Sequence, residues 1–154
     1  GLPKALSITF EGPPEALFFE GDPTHIRQVV MNLAANARDA MEGKAGTIRV
    51  VLRAVPADEK VGSGTTASDP GGYSAFCLEV TDDGTGMDEK TLERLFEPFF
   101  TTKAPGKGTG LGLAVVHGIV GSYGGTQAVH SVVGEGTTIA VVLPRAAKPE
   151  SPLI

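Results

Sequence analysis

The clearest hydrophobic pattern in the chain runs from Asp22 to Gly43. Asp22 followed by Pro23 is a helix start, with Asp as the N-cap and proline at the first helical position. Apolar residues then recur at intervals of three and four, which places them on one helical face. They are Ile26, Val29, Val30, Leu33, Ala37, Ala40 and Met41. The pattern predicts an amphipathic helix to about Met41 that stops near Gly43.

Alternating apolar and polar positions predict strands over much of the remaining chain. The predicted strands are 5–10, 16–20, 47–55, 73–81, 126–132 and 137–143, and two more helices are predicted at 88–95 and about 110–122. This order predicts an α/β (α+β) two-layer sandwich. Its sheet is mixed and mainly antiparallel with five or more strands, and three main helices lie on one face.

Loop composition sets the expected domain limits. Residues 56–72 are rich in Pro, Gly, Ser and Thr, and they predict a hairpin connection longer than usual. Residues 1–145 are expected to form one domain, followed by a disordered tail at 146–154. The chain of 154 residues has the length of a single domain.

Composition narrows the classes of function. The formal net charge of −5 argues against a nucleic-acid-binding surface. No apolar run approaches the roughly 18–20 residues that span a bilayer. Cys77 is the single cysteine, which excludes an intrachain disulfide and a cysteine zinc site. Its apolar neighbours predict a buried strand position.

A glycine-rich loop, 106-GKGTGLGL-113, precedes the last predicted helix. Lys107 is followed by glycine where a P-loop requires Ser or Thr. The Gly-x-Gly-x-Gly spacing, with no buried strand before it, also departs from the Rossmann fingerprint. The loop still leads into a helix, whose free N–H groups and positive dipole end favour phosphate. A plain surface loop is the alternative at this stage.

Asn32, Asn36 and Asp39 fall at helical spacing beside the apolar stripe of the first helix. They are expected to face a cleft at the edge of the core. An asparagine carbonyl is a neutral hard oxygen, suited to one position of a magnesium shell completed by phosphates and water. The alternative is a solvated polar face, although such faces usually carry Lys and Glu.

Two turns after predicted strands carry further candidate chemistry. In 82-DDGTGM-87, Gly84 and Gly86 allow close backbone approach to a flat ligand. Asp82 can accept a hydrogen bond from an exocyclic amine such as that of adenine, but not from the carbonyl of guanine. In 134-GEGTTI-139, Thr137 can support that carboxylate through its hydroxyl or a bound water.

Taken together, these motifs closely resemble the catalytic and ATP-binding domain of sensor histidine kinases. That domain belongs to the superfamily of type II topoisomerase, heat-shock chaperone and mismatch-repair ATPases (GHKL, the Bergerat fold). The matching segments are NLAANARDA, DDGTG, 96-FEPFFTTK-103, GKGTGLGL and GEGTT. The pair FEPFFTTK and GTGLGL is typical of histidine kinases, and the resemblance covers roughly residues 4–144.

The resemblance implies ATP and Mg²⁺ as cofactors and assigns roles to residues. Asn36 would be the magnesium ligand and the catalytic residue, Asp82 the adenine anchor, Thr137 its support, and 101–109 the ATP lid. The full set of expected nucleotide-binding residues is Asn32, Asn36, Asp39, Asp82, Gly84, Gly86, Met87, Lys103, Lys107, Gly108, Thr109, Gly110, Leu111, Gly112 and Thr137.

Two departures from the family pattern bear on the reaction. Many ATPases of the superfamily carry a general-base Glu where this chain has Asn32, and an amide cannot take a proton near neutral pH. This favours phosphoryl transfer over hydrolysis. Asp39 replaces a Lys that many kinases use to reach the phosphates, which shifts that role to Lys103 and Lys107 in the lid.

The expected function is transfer of the ATP γ-phosphate to a histidine. His25, His117 and His130 lack the sequence context of an acceptor, so the acceptor is expected on a separate dimerisation hairpin that precedes Gly1 in the full-length protein. Expected partners are that histidine-containing domain and a response regulator receiver domain, without nucleic acid.

The resemblance also implies a cytoplasmic domain with no direct membrane contact, in a parent that can be membrane-anchored. The alternative functions are a hydrolysing ATPase of the same superfamily and a nucleotide-binding regulatory module without transfer activity.

Overall fold

One face of a five-stranded sheet carries the helices that the structure describes. The computed structural model describes residues 6–13, 20–56, 73–100 and 112–145. The elements are β1 (Leu6–Glu11), α1 (Pro23–Met41), β2 (Gly46–Pro56), β3 (Tyr73–Asp82), α2 (Glu89–Arg94), α3 (Gly112–Ser122), β4 (Thr126–Val132) and β5 (Gly136–Pro144). Only the β1–β2 pairing is parallel in this sheet, whose order is β1-β2-β3-β5-β4. The predicted two-layer sandwich with a mixed, mainly antiparallel sheet is confirmed.

Helix α1 begins and ends as its sequence predicts. The Asp22 side chain accepts a hydrogen bond from the Thr24 amide at 2.8 Å, which satisfies one of the free N–H groups of the first turn. At the other end, the chain leaves the helix through two left-handed residues, Glu42 (φ 50°) and Gly43 (φ 75°). The left-handed backbone that ends the helix therefore starts at Glu42, one residue before Gly43, the residue from which the helix end was predicted.

The order of strands brings two distant polar residues together. Parallel strands need a crossover connection, and α1 supplies it between β1 and β2. Because β5 lies between β3 and β4, the end of β3 meets the start of β5, and Asp82 pairs with Thr137. Both side chains point to the helix-covered face, in register with Val80 and Ile139 on the same strands.

The main core lies between the helices and this face of the sheet. Its most deeply buried members include Leu33 and Met41 from α1, Ile48 from β2, and Val116 and Val120 from α3. The opposite face holds a smaller cluster of Val55, Ala75 and Cys77. Cys77 is buried as predicted, and burial raises the pKa of its thiol.

Several predicted segments lie outside the described residues. They are most of the strand at 16–20, the loop at 57–72, the glycine-rich loop and lid at 101–111, and the tail at 146–154. Those assignments stay predictions. Over the part of the chain that the structure describes, no helix combines the length and the apolar character needed to cross a bilayer.

The core on α1 gives a direct test of the fold. Leu33→Ala is expected to lower the free energy of unfolding by about 2–5 kcal/mol, because it removes a side chain that is 1% exposed and leaves a cavity. Urea denaturation measures the change. Met31→Ala, on the same helix but 61% exposed, is the matched control and is expected to change stability by less than about 0.5 kcal/mol. Equal losses in the two variants would contradict the assigned helix face.

Candidate functional site

A buried carboxylate, Asp82, marks the centre of the candidate site. It is 3% exposed, and its Oδ1 accepts a hydrogen bond from the Gly84 amide at 2.8 Å. Desolvation raises the pKa of Asp82, while the backbone amides of Gly84 and Thr137 partly oppose that rise. No cation pairs with the Asp82 carboxylate among the described residues. The carboxylate therefore keeps acceptor capacity for a ligand.

The glycines after Asp82 are required by neighbouring backbone. A Cβ atom on Gly84 would collide with the carbonyl of Ala40 at the end of α1. Gly86 has φ +70°, and a Cβ there would collide with the carbonyl of Val132 on β4. From the sequence, both glycines are predicted to allow close backbone approach to a flat ligand. In the structure the close approach is to protein, because the turn is packed between α1 and the β4–β5 hairpin.

Thr137 contacts Asp82 through its backbone, and its expected support through the hydroxyl or a bound water stays a prediction. Its backbone amide acts on the Asp82 carboxylate, and the side chain is 4% exposed. The Thr137 hydroxyl lies 2.7 Å from the Ser131 hydroxyl instead. Ser131 also accepts a hydrogen bond from the Met87 amide at 2.8 Å. Met87, an expected nucleotide-binding residue, thus lies beside this group and packs against the main core.

Sequence reasoning missed Ser131. Its position in β4 could have identified it. Burial alternates along this strand, and Ser131 falls on the partly buried positions together with Gln127 and Val129. A hydroxyl at an inward-facing strand position needs a partner, and the residue opposite it is Thr137.

One face of α1 connects the two ends of the site. The Asn32 side chain donates a hydrogen bond to the carbonyl of Gly112, the first residue of α3, at 3.1 Å. Two turns later, the carbonyl of Ala40 accepts from the Thr85 amide at 3.1 Å, next to Asp82. Asn36 lies midway between these contacts on the same helical face. The two contacts are about 12 Å apart along the helix axis.

Asn36 is a partly buried polar side chain on this face of α1. No hydrogen bond joins its amide to another described residue. One turn before it, Asn32 contacts the N-terminal end of α3, where the first N–H groups lack helical partners and favour anions. Gly112 lies at that end. The structure therefore joins Asn32 to Gly112, with Asn36 one turn further along the same helical face, and it places a second group around Asp82. That second group is Asp82, Gly84, Gly86, Met87 and Thr137.

The remaining expected site residues either make a different contact or lie outside the described residues. Asp39 forms an ion pair with Arg38, with 3.5 Å between Oδ1 and Nη2. Lys103, Lys107, Gly108, Thr109, Gly110 and Leu111 lie outside the described residues. Within residues 6–13, 20–56, 73–100 and 112–145, no three His, Cys, Asp or Glu side chains are placed to hold a metal ion.

The segment before the glycine-rich loop is attached by aromatic contacts. Phe96 stacks on His117 of α3, with ring centroids 5.5 Å apart. Arg94 lies over the Phe100 ring at 4.5 Å. Phe99 is 75% exposed and has φ 68°, an unusual conformation for a bulky residue. Two of the three phenylalanines thus anchor this segment, and the third faces outward.

Comparison with known proteins defines the class. Residues 21–147 match the family described as histidine kinase-, DNA gyrase B- and HSP90-like ATPases, and the chain belongs to that family. It is 45% identical over 126 residues to the sensor kinase CckA of Brucella abortus, covering 82% of this chain and 13% of that protein. It is 41% identical over 149 residues to the two-component sensor PprA of Pseudomonas aeruginosa, covering 96% of this chain and 15% of that protein.

A solved structure narrows the assignment further. The catalytic domain of the histidine kinase ThkA, in a nucleotide-free form, superposes with a TM-score of 0.69 at 27% identity, covering 92% of this chain and 80% of that one. Within its family, this chain is therefore a catalytic, nucleotide-using domain of the sensor histidine kinase type. It spans about one-seventh of the length of the two sensor proteins above.

Burial of the Asp82 carboxylate predicts the direction in which the free energy of unfolding changes with pH. The folded-state pKa of Asp82 is raised above the ordinary value for an aspartate, so the wild type loses stability relative to an uncharged side chain as pH rises through the folded-state pKa. The unfolding free energy of Asp82→Asn minus that of wild type is therefore expected to increase between about pH 3 and pH 7. Urea denaturation across this range measures the difference.

Asp88 is the matched control with the opposite sign. It caps α2, and its hydrogen bond from the Thr91 amide at 2.9 Å lowers its pKa. The same difference for Asp88→Asn is expected to decrease as pH rises over this range. If both variants respond with the same sign, the electrostatic description of Asp82 is wrong.

Proposed function

We propose that this domain binds ATP with Mg²⁺ and transfers the γ-phosphate to a histidine on a separate dimerisation hairpin. The observation that carries the proposal is the face of α1 that holds Asn32, Asn36 and Ala40. At one end it contacts the N-terminus of α3, and at the other it contacts the turn after Asp82. A base-recognition group and a phosphate-recognition group are thereby held at a fixed separation.

Asp82 is the group that would recognise the base. An ionised carboxylate offers only acceptors, so it can bind the exocyclic amine of adenine and repels the carbonyl that guanine has at the same place. Burial strengthens both effects, because the local dielectric constant is low. Adenine is therefore the base that this chain would select, with Met87 and the turn at 84–86 beside it.

The phosphate group would lie between Asn36 and α3. The Asn36 amide oxygen fits one position in the octahedral shell of Mg²⁺, and the scarcity of other acidic or imidazole ligands among the described residues fits a metal held mainly by phosphates and water. Bound Mg²⁺ supplies neutralisation of developing phosphate charge. The amides at the α3 N-terminus add fixed dipoles, and Lys103 and Lys107 are the proposed lid cations.

The chain's own residues favour transfer over hydrolysis. The Asn32 side chain donates a hydrogen bond to the Gly112 carbonyl, and a Glu at position 32 would instead place its carboxylate against that carbonyl oxygen. Because the Asn32 amide cannot take a proton near neutral pH, position 32 supplies no general base for water. In the proposed reaction a neutral imidazole nitrogen attacks the γ-phosphorus in line, the bond to the β–γ bridging oxygen breaks, and ADP leaves. The domain positions the reactants and neutralises charge.

The proposed partners follow from the missing acceptor. His25 bonds the Tyr123 hydroxyl at 2.7 Å, and His117 is engaged by Phe96 and Gln127. His130 is on an edge strand without an acidic neighbour in its strand. The acceptor would therefore come from a histidine-containing dimerisation domain, and a response regulator receiver domain would take the phosphate onward. A cytoplasmic location is part of the same proposal.

Base recognition can be tested by calorimetry. Asp82→Asn is expected to weaken ATP binding by about 10–100-fold, since a hydrogen bond to a charged group contributes about 1.5–3 kcal/mol. Asp83→Asn is the matched control. Its exposed carboxylate accepts from the Thr47 amide at 2.9 Å at the start of β2, so ATP affinity should stay within about twofold. ATP binding to Asp82→Asn as tight as to wild type would remove Asp82 as the adenine anchor.

Transfer can be tested with the histidine hairpin of the full-length protein and labelled ATP. Wild type is expected to form acid-labile phosphohistidine in a magnesium-dependent reaction. Asn36→Ala should lower the rate at least about tenfold, because a direct metal ligand contributes no less than an outer-shell partner. Gln28→Ala removes an exposed amide on the same helix and should leave the rate unchanged. Good ATP binding without phosphohistidine would overturn the kinase proposal, and steady ATP hydrolysis in its place would favour an ATPase.

A further inference from the structure

The Ser131 hydroxyl lies close to Asp82 and has three hydrogen-bonding partners. It accepts from the Met87 amide at 2.8 Å, lies 2.7 Å from the Thr137 hydroxyl, and reaches the Gly136 carbonyl at 3.2 Å. Met87 follows the turn after β3, whereas Gly136 and Thr137 begin β5. One side chain on β4 therefore connects both loops that surround the buried carboxylate.

The identity of the partners fixes the proton positions. A hydroxyl carries one proton and two lone pairs, an amide can only donate, and a carbonyl can only accept. All three contacts of Ser131 are hydrogen bonds at once only if Ser131 donates to Gly136 and accepts from both Met87 and Thr137. The Thr137 proton then points at Ser131, and the rest of the Thr137 oxygen surface presents lone pairs.

These lone pairs lie next to the group that would recognise the base. Thr137 pairs directly with Asp82 across β3 and β5, both side chains are buried, and both are on the helix-covered face. No hydrogen bond joins the Thr137 hydroxyl to Asp82 among the described residues, where its partner is Ser131. The Asp82 carboxylate is also an acceptor, so the two side chains together present one kind of hydrogen-bonding surface.

We propose that Ser131 is a specificity-determining positioning residue that holds the Thr137 hydroxyl as an acceptor toward the base. A purine with an amino group at position 6 satisfies this surface, directly or through a water. At position 6 itself, a carbonyl in place of the amine sets an acceptor against these acceptors and weakens binding. The inference rests on the proposed binding of the adenine base at Asp82. It adds a residue that acts on base selection without touching the base.

The test compares ATP with inosine triphosphate, which differs from ATP in having a carbonyl and a ring N–H in place of the amine and ring nitrogen. Calorimetry gives the ratio of the two affinities for this chain. In Ser131→Ala the Thr137 hydroxyl is free to turn its proton toward the carbonyl. The preference for ATP is therefore expected to fall about fivefold, the effect of one neutral hydrogen bond whose direction is lost.

Two variants separate this role from a general structural one. Ser131→Thr keeps the hydroxyl and is expected to restore the preference. Thr138→Val removes a hydroxyl from the Thr81–Thr138 pair, which lies at 2.9 Å on the opposite face of the sheet, and is expected to leave the preference unchanged. If Ser131→Ala does not fold, Ser131→Cys keeps the volume with a weakly hydrogen-bonding sulfur and takes its place with the same expected direction.

The outcomes distinguish the inference from the function beneath it. An unchanged ratio in Ser131→Ala, with wild type still preferring ATP, overturns the role of Ser131 and leaves adenine binding intact. An equal loss of affinity for both nucleotides also overturns it, because only the placement of Met87 would then have changed. A wild type that fails to bind ATP, or that binds both nucleotides equally, overturns the proposed adenine site and this inference with it.

Discussion

The site depends on a tight backbone packing at the turn after β3. The Thr85 amide donates to the Ala40 carbonyl of α1, and the Thr85 carbonyl accepts from the Gly134 amide in the β4–β5 hairpin. Glycine occupies 84, 86 and 136 because a Cβ atom there would collide with the backbone carbonyls of Ala40, Val132 and Asp82, respectively. Helix, turn and hairpin are thus connected through main-chain atoms, whose positions do not vary with rotamers. The orientations of Asp82, Met87 and Thr137 follow from that packing.

The same packing leaves the Asp82 carboxylate buried, and no residue of the described part of the chain supplies a cation to pair with it. Burial of Asp82 disfavours its charged form, and the amides of Gly84 and Thr137 return only part of the lost hydration. Burial of the charged Asp82 side chain therefore costs free energy, and Asp82 is not a member of the hydrophobic core. Such a cost is understandable where the carboxylate is needed for recognition. By contrast, the Thr81–Thr138 pair on the other face of the same strands is satisfied internally.

Much of the fold followed from periodicity and end signals. The start and end of α1 and the face it buries were predictable because capping, proline and apolar spacing act locally. The pairing of β3 with β5 was not, since strand order depends on how distant elements pack. The candidate site residues were named by motif, but the protein contacts that hold them were not predicted. Gly84 and Gly86 accommodate neighbouring backbone, and the Thr137 hydroxyl contacts Ser131. The glycine contacts join residues more than forty positions apart along the chain, which no local pattern contains. The Thr137–Ser131 contact depends on the register of the β4–β5 hairpin.

The Asn32–Gly112 and Ala40–Thr85 contacts have a consequence for how such a domain can diverge. Inserting or deleting one residue between Asn32 and Ala40 would rotate one contact by about 100° relative to the other and displace it by about 1.5 Å. No side-chain adjustment could restore both, since each contact uses main-chain atoms of the facing element. The length of this helical segment is therefore constrained more strictly than its amino-acid identities.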